Sequence, residues 1–293
     1  MNTVLLSIIS AFLSSFLLFT EKYILQNHVK DAFSWVVIIS ILSGVVCLPL
    51  LFFIPTITSA LTPLFISAVF TIIGYVLYAS ALNSSSPSTI AILNSIRPTI
   101  AITFSVILLN EVYSTGALIW MAVIALAFIL FSLTPATKKE MKNKIKPALM
   151  ILGSVIAWVV GDSMISFSNL NGLTFVIGRN IVGLVPILVL YGMFKQKVKL
   201  PEDYKSSIKY VVIFGALALV TFSTFFQALS QSFAITNAVA PSMTVLFSVI
   251  LGFIASKKFS KHVQEKGDIR TYAYKTAIAL IMAIAVYNLY FLA

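Results

Sequence analysis

Long apolar stretches separated by short polar turns run along the whole chain. Residues 32–96 contain no Asp, Glu, Lys or Arg, and residues 210–256 contain none either. One membrane-crossing helix takes ~20 apolar residues, so each stretch has room for at least two helices and a turn. The stretches are apolar on every side rather than at alternate positions, which favours helices over transmembrane strands.

This pattern predicts an all-α membrane protein with ten transmembrane helices. Short clusters of Pro, Ser and Asn separate the spans, as at residues 83–87. The first apolar run has neither the basic start nor the small-residue cleavage site of a signal peptide, so we count it as a span. The first five spans are predicted at residues 4–20, 34–54, 64–82, 89–109 and 115–133, and the second five at residues 148–167, 173–194, 210–229, 236–255 and 276–292.

The composition of this chain suits a lipid environment rather than water. Of its 293 residues, 59% are hydrophobic and 10% are charged, and the mean hydropathy is +1.02. A soluble domain carries roughly 25% charged residues, so this chain cannot cover a water-facing surface. The net charge of +11 does not indicate nucleic-acid binding, because the basic residues follow the loops between spans.

The placement of the basic residues supports an even number of spans. Arg97 and Arg179 fall inside spans, whereas the other 18 of the 20 Lys and Arg residues fall between spans 1–2, 5–6, 7–8 and 9–10. These connections lie on one side of the membrane, which the positive-inside rule makes cytoplasmic, and both termini then lie outside. We expect the plasma membrane of a prokaryotic cell, with Lys-rich segments such as residues 138–144 drawn to anionic headgroups.

Spans 4 and 9 carry the same sequence features. Asn94 and Pro98 correspond to Asn237 and Pro241, and residues 104–108 and 247–251 both read Phe-Ser-Val-Ile-Leu, at a constant offset of 143 residues. An offset near half the chain predicts a duplication of five spans, and an odd number of spans makes the second copy inverted. We therefore predict a five-helix repeat at residues 1–134, a Lys-rich linker at 135–147 and a second repeat at 148–293.

With these features the sequence resembles the EamA-type ten-helix carriers of the drug/metabolite transporter superfamily. The resemblance rests on the two halves of five short spans, the Pro98 and Pro241 segments, Glu111 after span 4 and Trp158 in the span that opens the second half. It implies transport of amino acids, drugs, sugar phosphates or nucleotide-type solutes. The chain departs from the family pattern at Ile254, which replaces a second copy of Glu111, and in an uncharged connection at residues 54–58. The family also implies cytoplasmic termini, against the charge count, which we follow.

Three ionisable residues inside the spans are the first candidates for a substrate site. A charge at the bilayer centre costs ~2.5–3.5 kcal/mol, so Arg97, Asp162 and Arg179 should face the interior or a cavity. The planar, permanently charged fork of Arg suits a carboxylate or phosphate of the substrate. An ion pair with Asp162, or a bond to carbonyls freed at Pro98, would explain the arginines equally. Asp162 itself would carry a proton, neutralise Arg179, or do both in turn.

Small and polar residues form a second set of candidates. Proline frees a backbone carbonyl, and a freed polar group is tolerated only against protein or a wet cavity. Spans 4 and 9 would thus form a substrate-facing hinge pair, or would pack tightly through small residues. The candidates on these spans are Asn94, Pro98, Ala101 and Ser105 in span 4, and Asn237, Pro241, Thr244 and Ser248 in span 9.

Further side chains could bind a solute by hydrogen bonds. Trp158, Asp162 and Ser166 recur every four residues, which predicts one shared helix face. Tyr75 and Tyr78 in span 3 would either bind the solute or lie at the membrane interface. Span 8 offers a similar polar set at Thr224, Gln227 and Gln231.

The pattern as a whole favours a secondary transporter over an enzyme or a channel. The transporter would move a small organic solute, anionic or zwitterionic, by alternating access, driven by protons or by exchange. The alternatives are an intramembrane lipid-modifying enzyme or a channel, in a monomer or a dimer. We expect no enzymatic activity, cofactor, metal or nucleic-acid partner, because Cys47 is the single cysteine, His28 and His262 fall in predicted loops and no phosphate-binding loop is present.

Overall fold

A computed structural model describes residues 3–53, 55–109, 112, 114–133, 138–198, 204–258 and 269–292. The regular secondary structure of these residues is helical, with short 3₁₀ segments at Leu48–Phe53, Pro55–Ala60, Met164–Phe167 and Lys195–Lys197. The α-helices of the first half are α1 (Thr3–Asn27), α2 (Ala32–Cys47), α3 (Leu61–Ser84), α4 (Pro87–Asn94), α5 (Arg97–Leu109) and α6 (Thr115–Leu133). Those of the second half are α7 (Lys138–Ser163), α8 (Gly172–Val182), α9 (Leu184–Phe194), α10 (Tyr204–Leu229), α11 (Phe233–Lys258) and α12 (Ile269–Leu292).

Eight segments of the described chain are long and apolar enough to cross a membrane. They coincide with predicted spans 1–4 and 6–9, and run over Thr3–Asn27, Ala32–Phe52, Thr58–Ser84, Pro87–Leu108, Ile145–Phe167, Gly172–Phe194, Ser207–Leu229 and Ile235–Lys257. Predicted spans 5 and 10 coincide with α6 and α12, whose apolar portions, Leu118–Ala127 and Tyr272–Ala285, are shorter. The helical fold is thus confirmed, and the count of ten spans stays a prediction.

Two of the spans are interrupted, and in each case a proline explains the position. A proline has no N–H to bond the carbonyl four residues earlier, and its ring crowds that carbonyl. Helix α4 ends at Asn94, four residues before Pro98, and α8 ends at Val182, four residues before Pro186. Arg97 directly follows the break in span 4 and is buried.

The helix is not broken at Pro241, where a hinge was predicted, because α11 continues through this proline. Neighbouring α1 supports the helix directly after it. Ser15 Oγ donates to the Thr244 carbonyl at 3.2 Å, and Thr244 Oγ1 donates to the Ala11 carbonyl at 3.4 Å. Spans 4 and 9 are therefore alike in sequence but different in backbone.

The helices of the two halves pack against each other in matching pairs. Helix α3 packs on α7, so span 3 contacts span 6, and α10 packs on α1, so span 8 contacts span 1. The two contacts correspond, because spans 3 and 8 have the same position in their halves and so do spans 6 and 1. Corresponding spans also meet: α2 contacts α8 and α9, α4 and α5 contact α11, and α6 contacts α12. The interface between the halves consequently runs through the centre of the protein.

The surface is apolar and the interior contains many small polar residues. Large side chains such as Ile107, Met193 and Leu149 are 68%, 69% and 62% exposed. Ser10 and Ser15 are buried and donate to backbone carbonyls at 3.5 Å or less. This is the distribution expected for helices that face lipid and pack through small residues.

Two lysines predicted to lie in loops are instead buried in helices. Helix α1 extends seven residues past the predicted end of span 1, and Lys22 Nζ donates to the carbonyls of Leu82 and Asn83 at 2.7 and 2.9 Å. Lys275 of α12 donates to the hydroxyl of Ser88. The prediction from hydropathy was wrong here because a helix continues through charged residues when carbonyls and hydroxyls accept from them. Both lysines stabilise the turn between α3 and α4 through these hydrogen bonds.

Candidate functional site

A cavity of about 220 Å³ lies between the two halves of the protein. Helices α1, α2, α3, α4, α5, α7, α8, α10 and α11 all contribute to its lining. Most of the lining is apolar and aromatic, and its ionisable side chains are Glu21, Arg97, Asp162 and Arg179, together with Tyr75 and Tyr78. A mainly apolar pocket with a few convergent polar groups is typical of a small-molecule site.

The three ionisable residues predicted inside the spans form one cluster in this cavity. Arg97 donates to the carboxylate of Asp162, and Arg179 Nη1 lies 3.7 Å from the other oxygen of the same carboxylate. All three residues are buried, with exposed fractions of 9% for Arg97, 4% for Asp162 and 5% for Arg179. Two cations thus share one carboxylate, which leaves one positive charge without a partner in the cluster.

Aromatic rings and an amide hold the two guanidinium groups. The Cζ atom of Arg97 lies 4.9 Å from the ring centre of Phe225, and that of Arg179 lies 4.6 Å from the ring centre of Phe226. Arg97 Nε also donates to Oδ1 of Asn237 at 2.9 Å. Guanidinium groups held on rings keep a fixed orientation, which prepares them for a planar anionic group.

Two polar atoms at the cavity have no hydrogen-bond partner in the described part of the protein. They are Nε of Arg179, a donor, and Oδ1 of Asn94, an acceptor. Buried polar groups are normally satisfied, so an unpaired donor and acceptor beside a cavity indicate where a ligand or water binds.

Aromatic residues of α3 and α7 form one wall of the cavity. The rings of Tyr75 and Tyr78 are 6.2 Å apart, and the rings of Tyr78 and Trp158 are 5.0 Å apart. Gly74 makes room for this wall, because a Cβ atom on it would lie 2.6 Å from Cδ1 of Trp158. A similar close approach fixes the start of α8, where a Cβ on Gly172 would lie 2.3 Å from the Phe226 carbonyl.

Glu21 is the main cavity residue that was not predicted from the sequence. It follows the predicted end of span 1 directly and is 3% exposed. Its Oε1 accepts a hydrogen bond of 2.7 Å from Nε1 of Trp35, itself fully buried. The sequence did contain a pattern that predicts this position. Leu17, Glu21 and Leu25 share one helix face, and a carboxylate on an apolar face should point inward.

The structure brings most of the predicted site residues together around the cavity. Those that line it are Asn94, Arg97, Trp158, Asp162, Arg179, Pro241, Tyr78 and Thr244. The lining does not include Pro98, Asn237, Gln227 or Ser248. Of these four, Asn237 contacts the site indirectly through its hydrogen bond to Arg97.

The face predicted for Trp158, Asp162 and Ser166 does not extend to its last member. Helix α7 ends at Ser163, and Ser166 is exposed in the 3₁₀ segment that follows. Gln231 lies away from the cavity, where it accepts a hydrogen bond of 2.9 Å from Thr3 Oγ1. Glu111 and His262, named from the sequence, lie outside the described residues.

Fold and cavity together define a multi-pass helical membrane protein with a charged internal pocket. A family model described as the EamA-like transporter family matches residues 1–133. The match shows that the first 133 residues are similar to the EamA-like transporters of the drug/metabolite transporter superfamily, and it confirms the resemblance found in the sequence.

Comparison with solved structures supports the fold. A crystal structure described only as "Crystal structure of protein" superposes with a TM-score of 0.62 at 17% sequence identity, covering 97% of this chain and 96% of that one. At this identity the likeness concerns the fold alone. No curated protein matches the chain.

Proposed function

We propose that this protein is a secondary carrier that binds a small organic solute in the central cavity and moves it by alternating access. One observation carries the proposal: the Arg97–Asp162–Arg179 cluster lines the central cavity and keeps one positive charge in excess. A buried excess charge is unfavourable unless a ligand compensates it. An anionic group of the solute would supply that compensation.

In this proposal the two arginines hold the anionic group and Asp162 competes with it. When the solute leaves, Asp162 neutralises the guanidinium groups, and when it binds, they turn to the solute. Movement is driven by a proton taken up at Asp162 or by a second solute that exchanges with the first. The unpaired atoms on Asn94 and Arg179 add orienting hydrogen bonds.

Alternating access follows from the arrangement we propose for the halves, ten spans in two inverted five-helix repeats at residues 1–134 and 148–293. The matching pairs α3–α7 and α10–α1 support it, because a two-fold axis in the membrane plane relates such pairs. Each half can then take the packing of the other. The Lys-rich connections would face the cytoplasm of a prokaryotic cell.

The direct test is solute flux in liposomes that contain the purified full-length protein. Panels of amino acids, nucleotides and sugar phosphates serve as probes. We expect saturable uptake of at least one probe and faster uptake when the lumen contains the same unlabelled compound. A non-saturating flux without this exchange effect would indicate a channel, and the absence of flux and binding across all panels would remove the proposal.

Accessibility labelling tests the cavity separately from flux. Cys47 is the single cysteine, so Cys47→Ser gives a clean background. We expect Asn94→Cys, on the cavity, to react with a polar maleimide and to be protected by the transported probe. Ser248→Cys, buried outside the lining, should stay unreactive. Equal reactivity at the two positions would contradict the proposed site.

A further inference from the structure

A second charged group faces the cavity from α1. The carboxylate of Glu21 is buried, lines the cavity and accepts from Trp35 Nε1. Tyr75 borders the same carboxylate. The adjacent Lys22 does not neutralise it, because its ammonium group donates to carbonyls at the end of α3.

Glu21 has no cationic partner among the described residues. Both ion pairs in that part of the chain belong to Asp162. A carboxylate buried with neutral donors alone is unfavourable in its charged form, and a cationic group beside it would stabilise that form. The cavity is the accessible side from which such a cation can reach it.

The four acid and base groups of the cavity, two arginines and two carboxylates, sum to zero charge but are unevenly distributed. Arg97 and Arg179 share Asp162, so this end has a positive excess. Glu21 lies at the other end and contributes a negative charge when it is ionised. A ligand complementary to this distribution has an anionic group for the arginines and a cationic group for Glu21.

Helix α3 shows that one small molecule can reach both ends. Thr71 accepts from Nη1 of Arg179 at 3.3 Å, and Tyr75 borders Glu21. These two residues are four positions apart, about 6 Å along the helix axis, so the residues of α3 that contact the two ends lie on adjacent turns. The aromatic wall between the ends can contact an apolar body that joins the two charges.

We propose that Glu21 binds a cationic amine of the transported solute, and that the substrate class is therefore a small zwitterion rather than a simple anion. This proposal rests on the proposed carrier function and makes it more specific. Trp35 holds the Glu21 carboxylate in place, and the arginines take the acid group.

The test uses three matched panels on the purified full-length protein in liposomes: α- and ω-amino acids, the same acids without the amine, and the same amines without the acid. We expect uptake from the amino-acid panel, and affinities weaker by about tenfold or more for both counterpart panels, because each lacks one charge-assisted contact. This comparison needs no variant and so does not depend on the folding of a mutant.

Glu21→Gln then identifies the residue responsible. Glutamine keeps an oxygen acceptor for Trp35 but has no charge, so affinity for the amino acids should fall about tenfold, whereas affinity for the acids without the amine should rise because a repelling negative charge is removed. Glu21→Asp, which keeps the charge, should recover part of the affinity. Thermal unfolding of both variants checks that the fold is retained.

Several outcomes would overturn this inference and leave the carrier function intact. Uptake confined to the acid panel or the amine panel is one, and unchanged amino-acid affinity in Glu21→Gln is another. A variant that loses only proton-driven uptake, with equilibrium affinity unchanged, would make Glu21 a proton site instead. Absence of uptake from every panel, including nucleotides and sugar phosphates, would remove both proposals together.

Discussion

The guanidinium of Arg97 donates to the carboxylate of Asp162, and this contact joins the first half of the chain to the second. Arg97 begins α5 directly after the break in span 4, and Asp162 lies in the last turn of α7. The proline that interrupts span 4 thus places a cation where the other half supplies an acid. We expect both stability and transport to depend on this pair.

Asp162→Asn should destabilise the protein and abolish transport. The substitution leaves two buried arginines without a carboxylate, and removing one partner of a buried pair costs about 3–5 kcal/mol. Thermal unfolding in detergent and flux in liposomes measure the two effects. The matched control is Asp31→Asn, which keeps an N-cap acceptor for Ser34 N outside the cavity and should change stability by less than about 0.5 kcal/mol. Wild-type stability in Asp162→Asn would contradict the role assigned to the pair.

Arg179→Lys should weaken solute binding although it keeps the charge. Lysine cannot present the planar fork or stack on Phe226, whose ring centre lies 4.6 Å from the Arg179 Cζ atom. We expect affinity for the transported acid to fall about tenfold, measured by equilibrium binding. Lys146→Arg, at an exposed position of α7, should have no effect. If Arg179→Lys binds as tightly as the wild type, a point charge is sufficient at this position.

Gly74→Ala should impair binding by moving Trp158. The added methyl group would lie 2.6 Å from the indole, so the ring must shift away from Tyr78 or the helices must separate. Such overpacking costs about 1–3 kcal/mol, and the aromatic wall would be disturbed as well. Gly192→Ala is the control, since nothing lies within 4 Å of the position that its methyl group would take. Trp fluorescence and solute affinity identical to the wild type would show that the close approach is unimportant.

Lys22→Met should loosen the turn between α3 and α4. The carbonyls of Leu82 and Asn83 would lose a charged donor, which costs about 1–3 kcal/mol for a buried group. In the Cys47→Ser background, Ser85→Cys should then react faster with a maleimide. The exposed Lys30 provides the control as Lys30→Met, for which the rate should stay constant. Equal rates in all three proteins would mean that Lys22 does not fasten the turn.

Much of this architecture could be predicted from the sequence, because lipid restricts the choices. Helices must be apolar and long, so eight predicted spans coincide with the long apolar segments of the structure. Charges inside a membrane must find partners, so Arg97, Asp162 and Arg179 could be expected to meet although they are distant in the chain. Pro98 marked a break four residues earlier for a steric reason that is local.

The features that could not be predicted from the sequence depend on tertiary contacts. Glu21 and Lys22 end an apolar run, and such residues usually enter water. Here Trp35 bonds to Glu21 and the end of α3 bonds to Lys22, and hydropathy alone does not predict such partners. In the same way, nothing near Pro241 in the sequence reveals that α11 continues through this proline or that Ser15 and Ala11 of α1 bond to Thr244.

The pair formed by Arg97 and Asp162 also bears on how such a protein can be divided. If the chain were expressed as two fragments separated between residues 135 and 147, the first would contain Arg97 without its acid, and the second would retain both Asp162 and Arg179. The first fragment should therefore be degraded when produced alone and rescued by the second, and protein levels in single and joint expression measure this. Two copies of the first fragment could not supply that acid, so we expect each half of the chain to require the other half for stability.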